Sequence, residues 1–162
     1  MLPLRTIFLT ASLSLVSSIA TAQRAGIVRP SRVAPDSRVL SVTHQLAGLR
    51  LNESDSAARA HLGQPLTVGT VGTGSSLVSL SNTKGVTAIV GSDGVGIILV
   101  TARNAGDLDG VRVGDSHAAV LERWGPPAAG GASGGLWLGQ DIVITVSFDA
   151  DGHVSRLGIG QG

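Results

Sequence analysis

A repeated segment constrains this chain more than any other feature of it. Gly110-Val-Arg-Val-Gly-Asp-Ser-His-Ala-Ala-Val-Leu-Glu-Arg-Trp-Gly-Pro-Pro127 has a weaker upstream copy, Gly48-Leu-Arg-Leu-Asn-Glu-Ser-Asp-Ser-Ala-Ala-Arg-Ala-His-Leu-Gly-Gln-Pro65. Aligned without a gap, they share Gly48/Gly110, Arg50/Arg112, Ser54/Ser116, Ala57/Ala119, Gly63/Gly125 and Pro65/Pro127, while Leu49/Val111, Leu51/Val113 and Glu53/Asp115 match in type. Self-similarity of this kind marks a duplicated supersecondary unit.

Each copy predicts a short helix. Ser54 and Ser116 suit the N-cap, where a serine oxygen accepts from backbone N–H groups two or three residues ahead, and an acid precedes each at the positive helix end. Gly63 and Gly125 close the helices in a left-handed conformation, and Pro65 or Pro126 prevents continuation. At ~100° per residue Val120, Leu121 and Trp124 share a face, while Glu122 and Arg123 point away. In the first copy only Ala58 and Leu62 hold that face, with Arg59 in place of the Leu. Helices of about two turns do not persist without packing.

Strands follow each helix after a Gly-rich passage. Residues 77–80, 85–90 and 95–101 read as three strands, and residues 136–138, 142–148 and 153–159 repeat the plan. Asp93-Gly94 and Asp151-Gly152 occupy matching hairpin turns. Ile142, Ile144, Val146 and Phe148 alternate with smaller or more polar residues, the pattern of a sheet with one buried face. Between Val154 and Leu157 the spacing is three, which a β-bulge near Ser155 and Arg156 restores to register. Val39 to Leu51 reads as an extended segment, a short helix, or one followed by the other, and Gly48 interrupts either. The expected fold class is α+β: two tandem repeats, each a short helix packed on an antiparallel β-meander of about three strands.

The run G-[LV]-R-[LV]-x-x-S, a short helix, [LW]-G-x-P, and strands that end in Thr145-Val-Ser-Phe-Asp-Ala-Asp-Gly-His-Val-Ser-Arg-Leu157 together resemble the BamE/SmpA/OmlA superfamily. The tandem form of that superfamily is similar in architecture to the β-lactamase inhibitory protein. The second copy, Gly110 to Ile159, fits best. The resemblance implies an exported, non-enzymatic protein-binding module in cell-envelope assembly or scaffolding, or alternatively a secreted proteinaceous enzyme inhibitor. No partner-binding residue matches the family well enough to be carried over, and the lipoprotein Cys of the outer-membrane assembly factors is absent.

The N-terminus predicts export. Arg5 supplies a positive start, Ile7 to Ala20 form an apolar run shorter than the ~20 residues of a spanning helix, and Ala20-Thr-Ala22 fits small-x-small cleavage. The expected organisation is a cleaved signal peptide (1–22), a flexible basic leader (23–38), a first BamE-like repeat (39–104) and a second (105–162), in an exported protein that is periplasmic or secreted. With no Cys there is neither a lipid anchor nor a disulfide, so packing alone must hold the mature chain. Two Trp, two Phe and no Tyr make that core aliphatic and leave little to stack against bases, so no nucleic-acid partner is expected. Arg24, Arg29, Arg32 and Arg38 stand against Asp36 alone in the leader. They read as a solvated arm, with weak contact to an anionic surface as the functional alternative.

Several patterns carry chemistry on paper. Gly131-Ala-Ser-Gly-Gly135 satisfies G-x-S-x-G, which makes Ser133 the nucleophile of a third reading, a serine hydrolase; a nucleophile elbow, however, needs a strand before it and a helix after. Gly69-Thr-Val-Gly-Thr-Gly74 has the composition of a phosphate cradle without the following helix, and reads as a flexible connection. Asp107-x-Asp109-Gly110 and Asp149-x-Asp151-Gly152 are fragments of a calcium loop that lack the later ligands. His44, His61, His117 and His153 show no metal-ligand spacing. His61 belongs on the exposed helix face and His153 beside a turn, while His117 lies within reach of Asp115 as a pH-responsive pair or as an ordinary first-turn histidine. Gly110-Val-Arg-Val-Gly-Asp115 also resembles a PDZ segment, without the carboxylate-binding strand and loop of those domains. The sequence therefore predicts no catalytic residue, no metal site and no cofactor, and a protein as partner.

Overall fold

The computed structural model describes residues 39–72 and 76–162; the expected signal peptide (1–22) and basic leader (23–38), with its four arginines, lie outside the described residues. In chain order the strands and helices are β1 (Val39–Leu40), β2 (Gln45–Leu46), β3 (Leu49–Arg50), α1 (Asp55–Leu62), β4 (Leu66–Thr70), β5 (Val78–Asn82), β6 (Val86–Gly91) and β7 (Gly94–Val100). They continue as β8 (Asp107–Leu108), β9 (Val111–Arg112), α2 (His117–Trp124), β10 (Ala129–Gly131), β11 (Gly134–Gly139), β12 (Ile142–Phe148) and β13 (Val154–Gln161).

The two similar segments share their local structure. Each opens with a two-residue hairpin, β2–β3 turning at Ala47 (φ 55°) and Gly48 (φ 84°), β8–β9 at Asp109 (φ 47°) and Gly110 (φ 75°). Two positive φ values in succession are what a type I′ turn demands, so the interruption at Gly48 is a turn and not a fault in a helix. The acid before each serine then closes a turn on the hairpin: Arg50 N–H donates to Glu53 Oε2 at 3.0 Å and Arg112 N–H to Asp115 Oδ2 at 2.9 Å. Ser54 Oγ accepts from Ala57 N–H and Ser116 Oγ from Ala119 N–H, and the helices end at Gly63 and Gly125, whose φ is positive as expected but whose ψ (−171° and −169°) is extended rather than left-handed helical.

Each helix entrance is also bonded to the first residues of a later strand. Asn52 N–H donates to Val95 O and Val95 N–H to Glu53 O, both at 2.8 Å; Gly114 N–H donates to Val154 O at 2.7 Å and Val154 N–H to Asp115 O at 2.8 Å. A Cβ on Gly94, where φ is +100°, would lie 2.5 Å from Glu53 O, so this approach requires glycine.

The architecture corrects the expected fold class. The protein is mainly β, with one mixed nine-stranded sheet in the order β1-β11-β12-β13-β7-β6-β5-β4, β10 sharing the outer edge of β11 with β1, and only two described helices. All pairs are antiparallel except β1 with β11. Two separate helix-on-meander repeats are not formed, because β7 pairs with β13 through Val100↔Leu157, Leu99↔Gly158, Ile98↔Ile159 and Ile97↔Gly160. An apolar central strand on each side has an open edge, and each edge satisfies the other. The sequence supplied no local signal for this pairing. It also showed no sign of β4 and β10, which add strands to each side.

One hydrophobic cluster runs along the whole first face. Leu80, Val86, Ala88, Ile98 and Val100 join Leu157, Ile159, Ile144, Val146 and Trp137 beneath Ala58, Leu62, Val120, Trp124 and the hairpin leucines Leu46 and Leu49. The bulge near Ser155 is present: Ser147 faces Arg156 and Phe148 faces Val154, leaving Ser155 unpaired. Trp124 and Trp137, each 1% exposed, meet edge to face at a centroid distance of 5.6 Å. Trp137 Nε1–H donates to Gly125 O at 3.0 Å, whereas the buried Trp124 Nε1–H has no acceptor among the described residues.

These two indoles therefore respond differently to removal of the N–H. Trp137→Phe strands the Gly125 carbonyl, while Trp124→Phe removes a donor that is already unsatisfied. Trp137→Phe is expected to lower the unfolding free energy by about 1–2 kcal/mol more than Trp124→Phe, read by urea titration with circular dichroism.

Candidate functional site

The residues that carry chemistry on paper do not converge. Ser133 occupies the exposed two-residue turn between β10 and β11, where Gly131 pairs with Gly134; strands lie on both sides of it, so it is no nucleophile elbow. Its backbone carbonyl accepts from Phe148 N–H at 2.9 Å, and no described histidine hydrogen-bonds its hydroxyl. His117 packs against Phe148 with ring centroids 4.4 Å apart and planes tilted by 46°, and Asp115, its expected neighbour, turns back to Arg112 N–H. His61 is exposed on its helix, as expected, with Nδ1 2.5 Å from Glu53 Oε1. His153 stands beside its turn, 3.9 Å from Asp149 Oδ1, and His44 Nε2 lies 3.0 Å from Gln140 O.

The calcium-loop fragments are turns. Asp107 Oδ1 accepts from Gly110 N–H, and Asp149 Oδ1 accepts from Asp151 and His153 N–H. Among the described residues no three His, Cys, Asp or Glu side chains gather as a metal would require, and no charged side chain is buried. The Gly-rich passage 69–74 is not wholly a connection, since Gly69 and Thr70 belong to β4; Gly74 lies outside the described residues. Arg59 donates to Asp55 one turn away, and this bond raises the guanidinium above its ordinary pKa, a shift without consequence near neutrality.

The second face of the sheet is a different kind of surface. Both helices and both small hairpins contribute to the cluster on the first face, and no described helix lies on the other. Strand register places Ile89, Ile97, Leu99, Val143, Leu136 and Leu138 on this second face, among Ser79, Ser81, Thr87, Thr145, Gly158 and Gly160. Ile89 and Leu99 are only 3% and 6% exposed although they stand outside the core cluster. The centre of this face is packed along β13, where Gly158 is buried. A Cβ on Gly158 would lie 2.6 Å from Leu99 Cδ2 and 2.9 Å from Thr145 Oγ1, and one on Gly160 would lie 3.5 Å from Ile97 Cγ1. The neighbouring side chains thus lean over a glycine floor.

Arg156 lies at one end of that stretch of β13. Register puts it on the second face, opposite Ser147, where it is the sole charged side chain among the described strands. It is half-buried and has no ion-pair or hydrogen-bond partner among the described residues. Sequence reasoning did not single out this face. One signal was there: Ile97-Ile-Leu-Val100 is unbroken rather than alternating, as in strands that have apolar neighbours on both faces.

Comparison with known proteins establishes likeness of fold alone. No protein-family model and no curated protein matches the chain. Among solved structures, the chain is similar to an extracellular protein containing an SCP domain from Bacillus anthracis, with 11% identity and a TM-score of 0.55 over 80% of this chain. The match spans half the length of that protein.

Ser133→Ala is expected to change the unfolding free energy by no more than about 0.5 kcal/mol, as for an exposed turn residue. A fluorophosphonate probe is expected to leave the wild-type chain unlabelled; labelling that Ser133→Ala abolishes would restore the hydrolase reading.

Proposed function

We propose that this protein is an exported, non-enzymatic protein-binding module that binds through the second face of its sheet. The leader sequence at 1–22 supports export. The observation that carries the binding reading is Arg156, half-buried and without a partner among the described residues, at the end of a half-buried aliphatic band, a combination that a partner presenting an acidic group among aliphatic side chains complements in charge. Aliphatic burial supplies affinity and the single cation fixes orientation. Ser133 in a hairpin turn and four histidines engaged elsewhere favour binding over catalysis. Within this reading, an envelope assembly role follows from the superfamily resemblance, and secreted inhibition follows from its tandem form.

The test is capture of a partner by the mature chain from envelope and culture medium, compared across variants. Arg156→Glu and Val143→Glu are expected to weaken capture about tenfold or more, with urea midpoints close to wild type, while Leu121→Glu on the opposite side has no effect. Capture that survives both second-face substitutions overturns the proposal. A stoichiometric enzyme whose turnover is blocked identifies an inhibitor, and co-fractionation with the envelope identifies an assembly factor.

A further inference from the structure

The outer edge of β4 is the long open edge of the sheet. At the opposite end, β11 is covered by two short strands, β1 of two residues and β10 of three, a common way of blunting an edge. Nothing among the described residues pairs with β4 on its far side, and Thr67 to Thr70 are all exposed. Val68, at 54%, is one of three exposed large apolar side chains among the described residues. Leu66-Thr-Val-Gly-Thr70 contains no Lys, Asp, Glu or Pro, the residues that ordinarily protect such an edge.

The direction of the open backbone groups follows from the ladder. Val71 N–H donates inward to Leu77 O at 3.0 Å, which places residues 67 and 69 inward as well and leaves 66, 68 and 70 facing out. Leu66 N–H fits the alternation, since it donates outside the ladder to Gln64 Oε1 at 3.3 Å. Outward groups at 66, 68 and 70 are symmetric about Val68. An antiparallel copy of the same strand therefore sets Val68 opposite its own equivalent and Leu66 opposite Thr70, with Val68 and Thr70 N–H facing acceptors and Leu66 N–H exchanging Gln64 Oε1 for one.

We infer that β4 is a self-association edge, at which two copies of this chain pair β4 with β4 about a two-fold axis at Val68. A second copy is the occupant because the strand is complementary to itself in hydrogen bonding and carries no charge to repel its like. Two Val68 side chains meet on one side of the joint, and Gly69, whose Cβ position is open, leaves the other side flat. A five-residue edge buries less than the ~800 Å² per partner of a standard interface, so the dimer is weak, with Kd in the range of about 10–1000 μM. The joint is independent of the second face, and either proposal can fail without the other.

The absence of Cys permits a direct test on the mature chain. Val68→Cys is expected to give a disulfide-linked dimer under mild oxidation. Thr67→Cys is not, because in this register its two copies are separated by about 8 Å between Cα atoms, beyond disulfide reach. Sedimentation equilibrium should show a concentration-dependent dimer that Val68→Pro and Val68→Lys each weaken at least tenfold. Val68→Pro removes an N–H that faces away from β5, so the β4–β5 ladder is kept; the lysine variant, with a wild-type urea midpoint, serves if the proline variant is unstable. A monomer at all concentrations up to about 1 mM, a dimer that both folded variants retain, or equal crosslinking at 67 and 68 would overturn the inference.

Discussion

Antiparallel pairing between Ile97–Val100 and Leu157–Gly160 joins the two halves of the sheet, and most of the structure depends on that joint. Val100 and Leu157 face each other fully buried, and Ile98 sits beside Ile159 at 0% and 1% exposure. Burying each such side chain contributes about 1.5–3 kcal/mol relative to leaving it exposed, and the ladder satisfies two strand edges that water or another chain would otherwise have to cover. On the reverse side Leu99 leans over Gly158, which has no side chain to compete for the space. A larger residue at 158 would disturb the joint from the second face, so the glycine there and the stability of the sheet have one cause.

The helices depend on the sheet in turn. Eight residues are too few for an independent helix, and both are held by serine caps and by backbone bonds from Val95 or Val154 at their entrances. Those bonds leave from the first residues of β7 and β13, the strands that make the central joint. Helix placement, hairpin return and sheet continuity are therefore one mechanical unit. Because both described helices cover the first face, the second presents, among the described residues, the strands' own side chains. Its aliphatic band and lone arginine follow from topology.

The sequence conveyed short-range structure well and long-range structure poorly. Ser54, Ser116, Gly63 and Gly125 mark the helix limits because capping acts within four residues. Asp93-Gly94 and Asp151-Gly152 mark hairpins, and the three-residue spacing after Val154 marks the bulge, for the same reason. Strand partnership is different. Nothing in Ile97-Ile-Leu-Val100 names Leu157–Gly160 as its neighbour, so a duplicated segment read as two separate units when the strands merge into one sheet. β4 escaped notice because an exposed edge needs no apolar alternation, and two-residue strands such as β2 and β3 are too short to have a period. Of the candidate surface, the apolar run on β7 was legible, while its alignment with Gly158, Gly160 and Arg156 required the register.

Native-state hydrogen exchange through increasing urea tests the central joint most directly. If β7 and β13 hold one sheet together, the amides of β5 to β7 and of β11 to β13 will merge onto a single unfolding isotherm with one denaturant dependence. Two isotherms, with strands on one side of the β7–β13 joint exchanging while those on the other remain protected, would contradict a single cooperative sheet.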